Sequence, residues 1–340
     1  MVYASALYFA DELDRELEKF YVRHELDLKA MPRDRLRHFF RIKSYEDFQR
    51  LSQCLQIPDT ISCDNRCQVS GEFALAVVLR RLAYPNRWRD CADLLGREAT
   101  QLSRIFNATI NFLYDKHGHL LRSLGQPWLG ADNIAAYAAA VHRASGGRYD
   151  NCWAFVDGTA RAICRPGRLQ REYYSGHYRG HVIKFQSLVA PDGLIVNMYG
   201  PCEGRRHDMY MLGASKLRHR LRLRNLIWGK DYCIFGDKGY SISAEVQSPY
   251  KGGNISEAEI AFNLVMSKCR LIVELGFQRI CTQFAFGNYR ENQKLFWQQS
   301  AKAYLVSAVL ANCLTCMYGF ELVFQKFGLQ PPSLETYLRF

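Results

Sequence analysis

Three carboxylates in this chain sit where chemistry explains them better than solvation does. Asp157 interrupts the apolar run "NCWAFVDGTARAIC" (Asn151–Cys164), Asp237 closes the strand-like "CIFGD" that opens "CIFGDKGYS" (Cys233–Ser241), and Glu274 stands among Leu271, Ile272, Val273 and Leu275. A carboxylate at the end of a buried strand is costly unless it is paired or holds a metal. Three acids brought together offer only oxygen donors, which suits a hard divalent cation such as Mg²⁺ or Mn²⁺. Two such ions can clamp the attacking and leaving oxygens of a phosphodiester displacement. The competing reading makes Asp237 a turn residue and pairs Glu274 with Arg270 at i,i+4 as an ordinary surface ion pair.

The elements that must position these acids are legible around them. Asp157 lies on a first strand. "HVIKFQSLVAPDGLIVNMYGPC" (His181–Cys202) is two apolar runs about Pro191-Asp192-Gly193, and Asp-Gly between such runs predicts an antiparallel hairpin. "EGRRHDMYMLGASKLRHRL" reads as turn and helix, and a fourth strand then ends at Asp237. Ser256 and Glu259 form a capping-box pattern that starts a long helix over Ser256–Ile280. Asn263, Ser267, Arg270, Glu274 and Gln278 share one stripe of that helix. Three antiparallel strands, helix, strand, helix is a ribonuclease H-like layout, with 36 residues between Asp237 and Glu274.

Upstream the pattern is all-α. A helix over Glu72–Ala83 stops before Pro85, a second over Arg87–Leu95 ends at Gly96, and a third starts near Thr100 with Leu102, Ile105, Phe106, Thr109, Ile110 and Leu113 at helical spacing. This is a helix-turn-helix layout. The opposite face of its last helix carries Gln101, Arg104, Asn107 and Asn111, residue types that read base edges in a major groove. A small helical bundle with a solvated polar face would look the same.

Charge points to a polyanion. Among 340 residues, 45 Lys and Arg against 33 Asp and Glu give +12, which favours nucleic acid over an acidic membrane surface. Between the first two strands Arg161, Arg165, Arg168, Arg171, Arg179 and Lys184 face one acid, Glu172, with Tyr173, Tyr174 and Tyr178 interleaved, a strip suited to phosphates and splayed bases. "SKLRHRLRLRNLIWGK" places Lys216, Arg220 and Arg224 four apart; a nuclear-localisation signal is the alternative there. The 12 cysteines are scattered, and no secretory signal precedes them, which predicts reduced intracellular thiols. Cys63/Cys67 and Cys313/Cys316 have zinc-like spacing but no partner pair at finger spacing. The apolar run Ala303–Phe324 carries Ser307, Asn312, Thr315 and Glu321, so a buried helix is expected rather than a membrane span.

Taken in order, "FVDGT", "GRRHDMYML", "FGDKGY", "SPY" and "FNLVMSKCRLIVELGF", preceded by "LRRLAYPNRWRDCADLLGREATQLSRIFN" and followed by "AYLVSAVLANC", resemble the DDE transposases of the PIF/Harbinger superfamily and nucleases domesticated from them, over Phe40 to Tyr318. The resemblance implies DNA cleavage at transposon ends and joining of the freed 3′-hydroxyl to target DNA, with Mg²⁺ or Mn²⁺ held by Asp157, Asp237 and Glu274. It adds Asp208, in "HDM", as a weaker candidate for the second carboxylate. It also implies double-stranded DNA and a Myb-like DNA-binding protein as partners and a nuclear location, cytoplasmic without that partner, with a homo-oligomer left open. "LGFQRI" departs from the family's usual segment after the Glu, and Arg279 stands near the place of a common Lys, where it could contact phosphate. The expected organisation is α/β: an N-terminal helical segment (1–44), an all-α helix-turn-helix DNA-binding domain (45–125), a ribonuclease H-like DDE nuclease domain (149–318) and a C-terminal tail (319–340). Arg165, Arg168, Arg171, Lys216, Arg220 and Arg270 join Gln101, Arg104, Asn107 and Asn111 as expected DNA contacts. The alternative is a domesticated, non-catalytic DNA-binding or adaptor protein.

Overall fold

The structure is a computed structural model and describes residues 24–339; the expectation of helix over the first part of 1–44 lies in part outside them. The chain divides into two compact units, Met1–Phe112 and Leu113–Phe340. The division falls inside a helix, well before the boundary at residue 125 expected from sequence.

In the first unit, α1 (Arg33–Phe40) and α2 (Tyr45–Cys54) precede a hairpin of β1 (Thr60–Ser62) and β2 (Gln68–Ser70). Then follow α3 (Gly71–Ala83), α4 (Arg89–Leu95) and α5 (Ala99–His117). Ser44 and Ser70 cap α2 and α3 by accepting from Asp47 and Phe73 backbone N–H. Gly96 ends α4 with φ 62°, a left-handed turn that costs glycine nothing. The apolar face read from sequence in α5 is buried at Leu102, Ile105, Phe106, Thr109 and Ile110. α4 and α5 are thus separated by the short turn at 96–98.

The second unit is built on a mixed sheet. β3 (Cys152–Ala162) pairs antiparallel with β5 (Gly180–Val189), and β5 pairs antiparallel with β6 (Ile195–Glu203). The two-residue β4 (Tyr174–Ser175) also pairs with β5, from the far side of the four-residue α7 (Gln170–Tyr173). On its other side β3 pairs parallel with β7 (Cys233–Phe235), and β7 with β8 (Val246–Gln247). The Asp192-Gly193 turn is where the sequence puts it: Asp192 Oδ1 accepts from Leu194 N–H at 3.0 Å, and Gly193 adopts φ +88°.

Helices cover the sheet. α6 (Ala131–Ala144), a helix the sequence reading left unassigned, packs on β3, where Tyr137 stacks 6.4 Å from the fully buried Trp153. α8 (Asp208–Ala214) and α9 (Leu217–Trp228) follow β6, and Trp228 meets Trp153 edge-on at 5.5 Å. α10 (Glu257–Gln283) opens with the full capping box of Ser256 and Glu259 and lays Gly276 against Val189 and Ile195. α11 (Ser300–Tyr318) is long and apolar enough to cross a membrane, but its apolar window is 78% buried in the protein. The stretch expected to be a tail is packed structure: α12 (Glu321–Phe327) and α13 (Leu334–Leu338) bury Val323, Phe327, Leu334 and Tyr337.

Candidate active site

Strand register brings the first two carboxylates together. Phe155 of β3 is paired with Phe235 of the parallel β7, so Asp157 and Asp237 both lie two residues past one rung, where adjacent parallel strands run ~4.8 Å apart. β3 is fully buried from Cys152 to Val156 and emerges from the core at Asp157. The backbone N–H of Gly158 donates to Asp157 Oδ1 at 2.8 Å, and that of Gly239 to Asp237 Oδ1 at 2.9 Å.

Asp208, at the start of α8, enters the same space. A Cβ on Gly158 would clash with its carboxylate, and one on Gly239 would meet Asp237 Oδ1 at 3.0 Å and Asp208 Oδ2 at 3.6 Å. Both glycines therefore leave room that the acids use. Both candidates for the second carboxylate stand at the site.

Glu274 arrives through Arg270. One Arg270 nitrogen donates to Asp157 Oδ2 at 2.5 Å and another to Glu274 Oε1 at 3.0 Å. The i,i+4 pair read from sequence is real, and Arg270 also reaches off its helix to a strand. Its guanidinium faces carboxylates rather than the solvent a DNA contact needs.

Burial dominates the electrostatics. It pushes Asp157 up to about 6, against the pull of Arg270 and the Gly158 N–H, and the charges of Asp237 and Asp208 push the same way. Burial also raises Asp208, opposed by Lys184 and assisted by Asp237. Behind the acids, the buried Tyr240 hydroxyl accepts from Gln186 Nε2 at 3.3 Å, and Gln186 Oε1 accepts from Ser215 at 3.2 Å. Burial, then Asp208, hold the Tyr240 phenol well above its usual range. Tyr178, 49% exposed, is raised first by its partial burial and then by the charges of Asp208 and Asp157. Tyr240 and Gln186 were missed in the sequence; the Tyr of "FGDKGY" was the available signal.

Among the described residues, no three His, Cys, Asp or Glu side chains form a group already set to hold a metal ion. The donor chemistry nonetheless fits a hard cation, with oxygens only and with Asp157 and Asp208 desolvated and repelled by the Asp237 charge. Arg270 now supplies the positive charge, at Asp157 and Glu274.

The expected DNA contacts separate into two sets. Arg165, Arg168 and Arg171 are exposed on the segment between β3 and β5; Arg165 bonds Gln170 at 2.9 Å and Arg168 lies 4.6 Å over Phe296. The stripe on α9 is different. Lys216 is exposed, but Arg220 donates to the backbone carbonyl of Arg122 and burial lowers its pKa, so it is turned to the protein. α9 exposes Leu223, Leu226 and Ile227 beside His219 and Arg222. Arg279, read as a phosphate contact, points inward to Thr315 Oγ1 at 2.8 Å and the Gly319 carbonyl at 2.9 Å. In the first unit Arg104, Asn107 and Asn111 lie at least partly open on α5, whereas Gln101 Nε2 donates to Cys67 Sγ at 3.4 Å.

Residues 156–312 match the family model of a DDE superfamily endonuclease. A "probable transposase for insertion sequence element IS702" from Microchaete diplosiphon is 22% identical over 175 residues, 49% of this chain and 56% of that protein. The chain thus spans about half the length of the curated relative it matches. No solved structure matches. These matches support a transposase-type nuclease domain, and the matched segment contains Asp157, Asp208, Asp237 and Glu274.

Proposed function

We propose that the second unit is a metal-dependent DNA endonuclease of the DDE transposase type, with a ribonuclease H-like fold and the PIF/Harbinger pattern. Asp157, Asp237 and Glu274, with Asp208 beside them, would hold Mg²⁺ or Mn²⁺. The observation that carries this reading is the meeting of Asp157 and Asp237 past one rung of two parallel strands, with Asp208 against both supporting glycines. When bound, the metal supplies Lewis-acid stabilisation of the phosphodiester oxygens and a water or 3′-hydroxyl of lowered pKa.

The chain's own residues do the rest. The N–H groups of Gly158 and Gly239 fix the rotamers of Asp157 and Asp237. Arg270 favours the ionised form of Asp157 against its burial and holds positive charge between Asp157 and Glu274, the place a bound cation would share. The exposed Arg165, Arg168 and Arg171 give the DNA backbone a track toward the acids. Double-stranded DNA is the proposed substrate and α5 its proposed reader, with a Myb-like partner protein and a nuclear location as the corresponding setting.

The test is cleavage of DNA bearing the terminal repeats that flank the gene, with Mg²⁺ or Mn²⁺ and with Glu274→Gln as control. Cuts at the repeat ends that vanish in the control are expected. The second reading is a non-catalytic DNA-binding descendant, favoured by the Arg270 bridge that already neutralises two of the acids. DNA bound but uncut by either protein would establish it.

A further inference from the structure

The nuclease reading leaves one motif unused, the "CDNRC" of the β1–β2 hairpin. Register pairs Ser62 with Gln68, and the ladder continues one step further: the backbone N–H of Cys63 donates to the carbonyl of Cys67 at 2.7 Å. Cys63 and Cys67 are therefore opposed at the closing rung of the hairpin, joined by that one bond, while the Cys67 N–H turns to the Asp64 carbonyl at 3.5 Å. Opposed antiparallel residues have their Cα atoms ~5.5 Å apart or less, within the roughly 4.4–6.8 Å that a disulfide spans. The two thiols lie close enough for Cys67 to act on the titration of Cys63. Both are partly accessible. The connecting turn is tight, with Asn65 and Arg66 both left-handed at φ 59° and 56°. It keeps the two thiols facing without any further element.

Beside them lies a cavity of about 440 Å³ lined by Gln68, Phe73, Arg97 and Gln101 among others. Gln68 follows Cys67 in sequence, and Gln101 donates to the Cys67 sulfur. Arg97 brings a cation into that lining, stacked 5.5 Å over Phe73. Glu25 also lines it, so the cavity offers one acidic and one basic side chain, which suits a small peptide carrying both an ammonium and carboxylates.

We propose that Cys63 and Cys67 are a reversible thiol–disulfide site, oxidised by a glutathione-type disulfide that enters through this cavity with a carboxylate toward Arg97. The Cys67 thiolate attacks the incoming disulfide, forming a mixed disulfide and expelling one glutathione thiolate. Cys63 loses its proton to solvent and attacks the Cys67 sulfur, expelling the second. The protein dithiol is oxidised to a disulfide by two electrons, and one glutathione disulfide becomes two glutathione thiols. Gln101 of the cavity lining bonds the Cys67 sulfur, which puts Cys67 on the entry side and makes Cys63 the resolving thiol; burial and the neighbouring Cys67 push the Cys63 thiol up to about 11. Closure changes the sulfur that Gln101 bonds, so the state of the hairpin is felt at the first turn of α5. The site is independent of the nuclease reading.

The experiment equilibrates the full chain in glutathione redox buffers, quenches with an alkylating agent and maps tryptic peptides. Trypsin cuts after Arg66, so the disulfide is read as peptide 51–66 joined to peptide 67–80, with fragment ions showing Cys54 of the first peptide alkylated and Cys63 bridged. Cys63→Ser should trap glutathione on Cys67. Arg97→Ala should slow oxidation by glutathione disulfide several-fold and leave oxidation by the neutral hydroxyethyl disulfide within twofold of the wild type. Separate alkylation of Cys63 and Cys67 at every redox ratio would overturn the site, as would bridging of either to Cys54. Equal slowing with both disulfides would overturn the seat at Arg97.

Discussion

Arg270 is the residue on which the chemistry of the acids turns. Its bond to Asp157 joins side chains only 19% and 17% exposed, whereas the Glu274 side chain is 50% exposed. Removing one partner of a buried ion pair costs about 3–5 kcal/mol, because the other charge is left uncompensated. Arg270→Ala should therefore lower thermal stability near neutral pH, and Mn²⁺ should recover more stability in the variant than in the wild type. Equal metal shifts in the two proteins would mean that Arg270 does not occupy the cation's place. Glu274→Gln keeps the shape and removes the charge. It should reduce cleavage by about 10²-fold or more, as loss of one charge-stabilising group does, with duplex affinity nearly intact. Asp208→Asn is expected to cost less cleavage than Asp237→Asn, since Asp237 shares the strand-end rung with Asp157; the reverse order would make Asp208 the second carboxylate. Asp192 acts on stability alone. It is 1% exposed, accepts from Tyr137 at 2.5 Å, and burial pushes it up to about 6. Its unfolded value is about 3.9, so between these values the folded state binds more protons than the unfolded one. Its contribution is full below about pH 4 and lost as pH rises through about 6, some 3 kcal/mol in order of magnitude. Asp157 contributes with the same sign. Asp192→Asn should flatten part of that slope in urea titrations at pH 4 to 7.

At the scale of elements, the sequence carried whatever a local pattern can encode. The capping box before α10, the Asp192-Gly193 hairpin, the Gly96 stop and the apolar face of α5 are all where their residues predict. What it could not carry was long-range. That Phe155 lies opposite Phe235, which is why Asp157 and Asp237 meet, is a fact of strand pairing between residues far apart in the chain. The inward turns of Arg220 and Arg279 depend on the Arg122 carbonyl and on Thr315, which no helical periodicity announces. The segment after Tyr318 read as a tail because its helices are short and its prolines frequent, yet Tyr337 is fully buried. Asn312 shows why that end is fixed. It accepts from Ile195 N–H at 3.0 Å and donates to the Ile195 carbonyl and the Tyr337 hydroxyl at 2.8 and 2.9 Å, tying α11 to β6 and α13. Asn312→Leu strands two backbone groups in the core, each unsatisfied group costing about 1–3 kcal/mol. A midpoint drop in urea unfolding of that size is expected; an unchanged midpoint would mean that the latch carries no stability. Arg104→Ala tests α5 in the same spirit: weakened duplex binding is expected, and unchanged affinity would remove this helix from the DNA reading.

For the whole molecule, the excess of positive charge matters through where it is exposed. Part of the basic count is spent internally, as Arg80, Arg81 and Arg279 show by their burial. The segment between β3 and β5 keeps Arg165, Arg168, Arg171 and Arg179 at the surface, with Tyr174 and Tyr178 exposed among them, and Tyr178 leads to the acids. A track of cations ending at carboxylates fits a polyanion drawn to the very charges that repel it, with a cation needed at the junction. Each phosphate neutralised releases condensed counterions, so the logarithm of duplex affinity falls with the logarithm of salt by about 0.9 per contact. Replacing Arg165 and Arg171 together by Ala should flatten that slope by about 2 and weaken all duplex sequences alike. Both side chains are exposed, so the fold should be untouched and melting unchanged. An unaltered salt slope would show that DNA does not lie along this strip, and that the acids must be reached from another side.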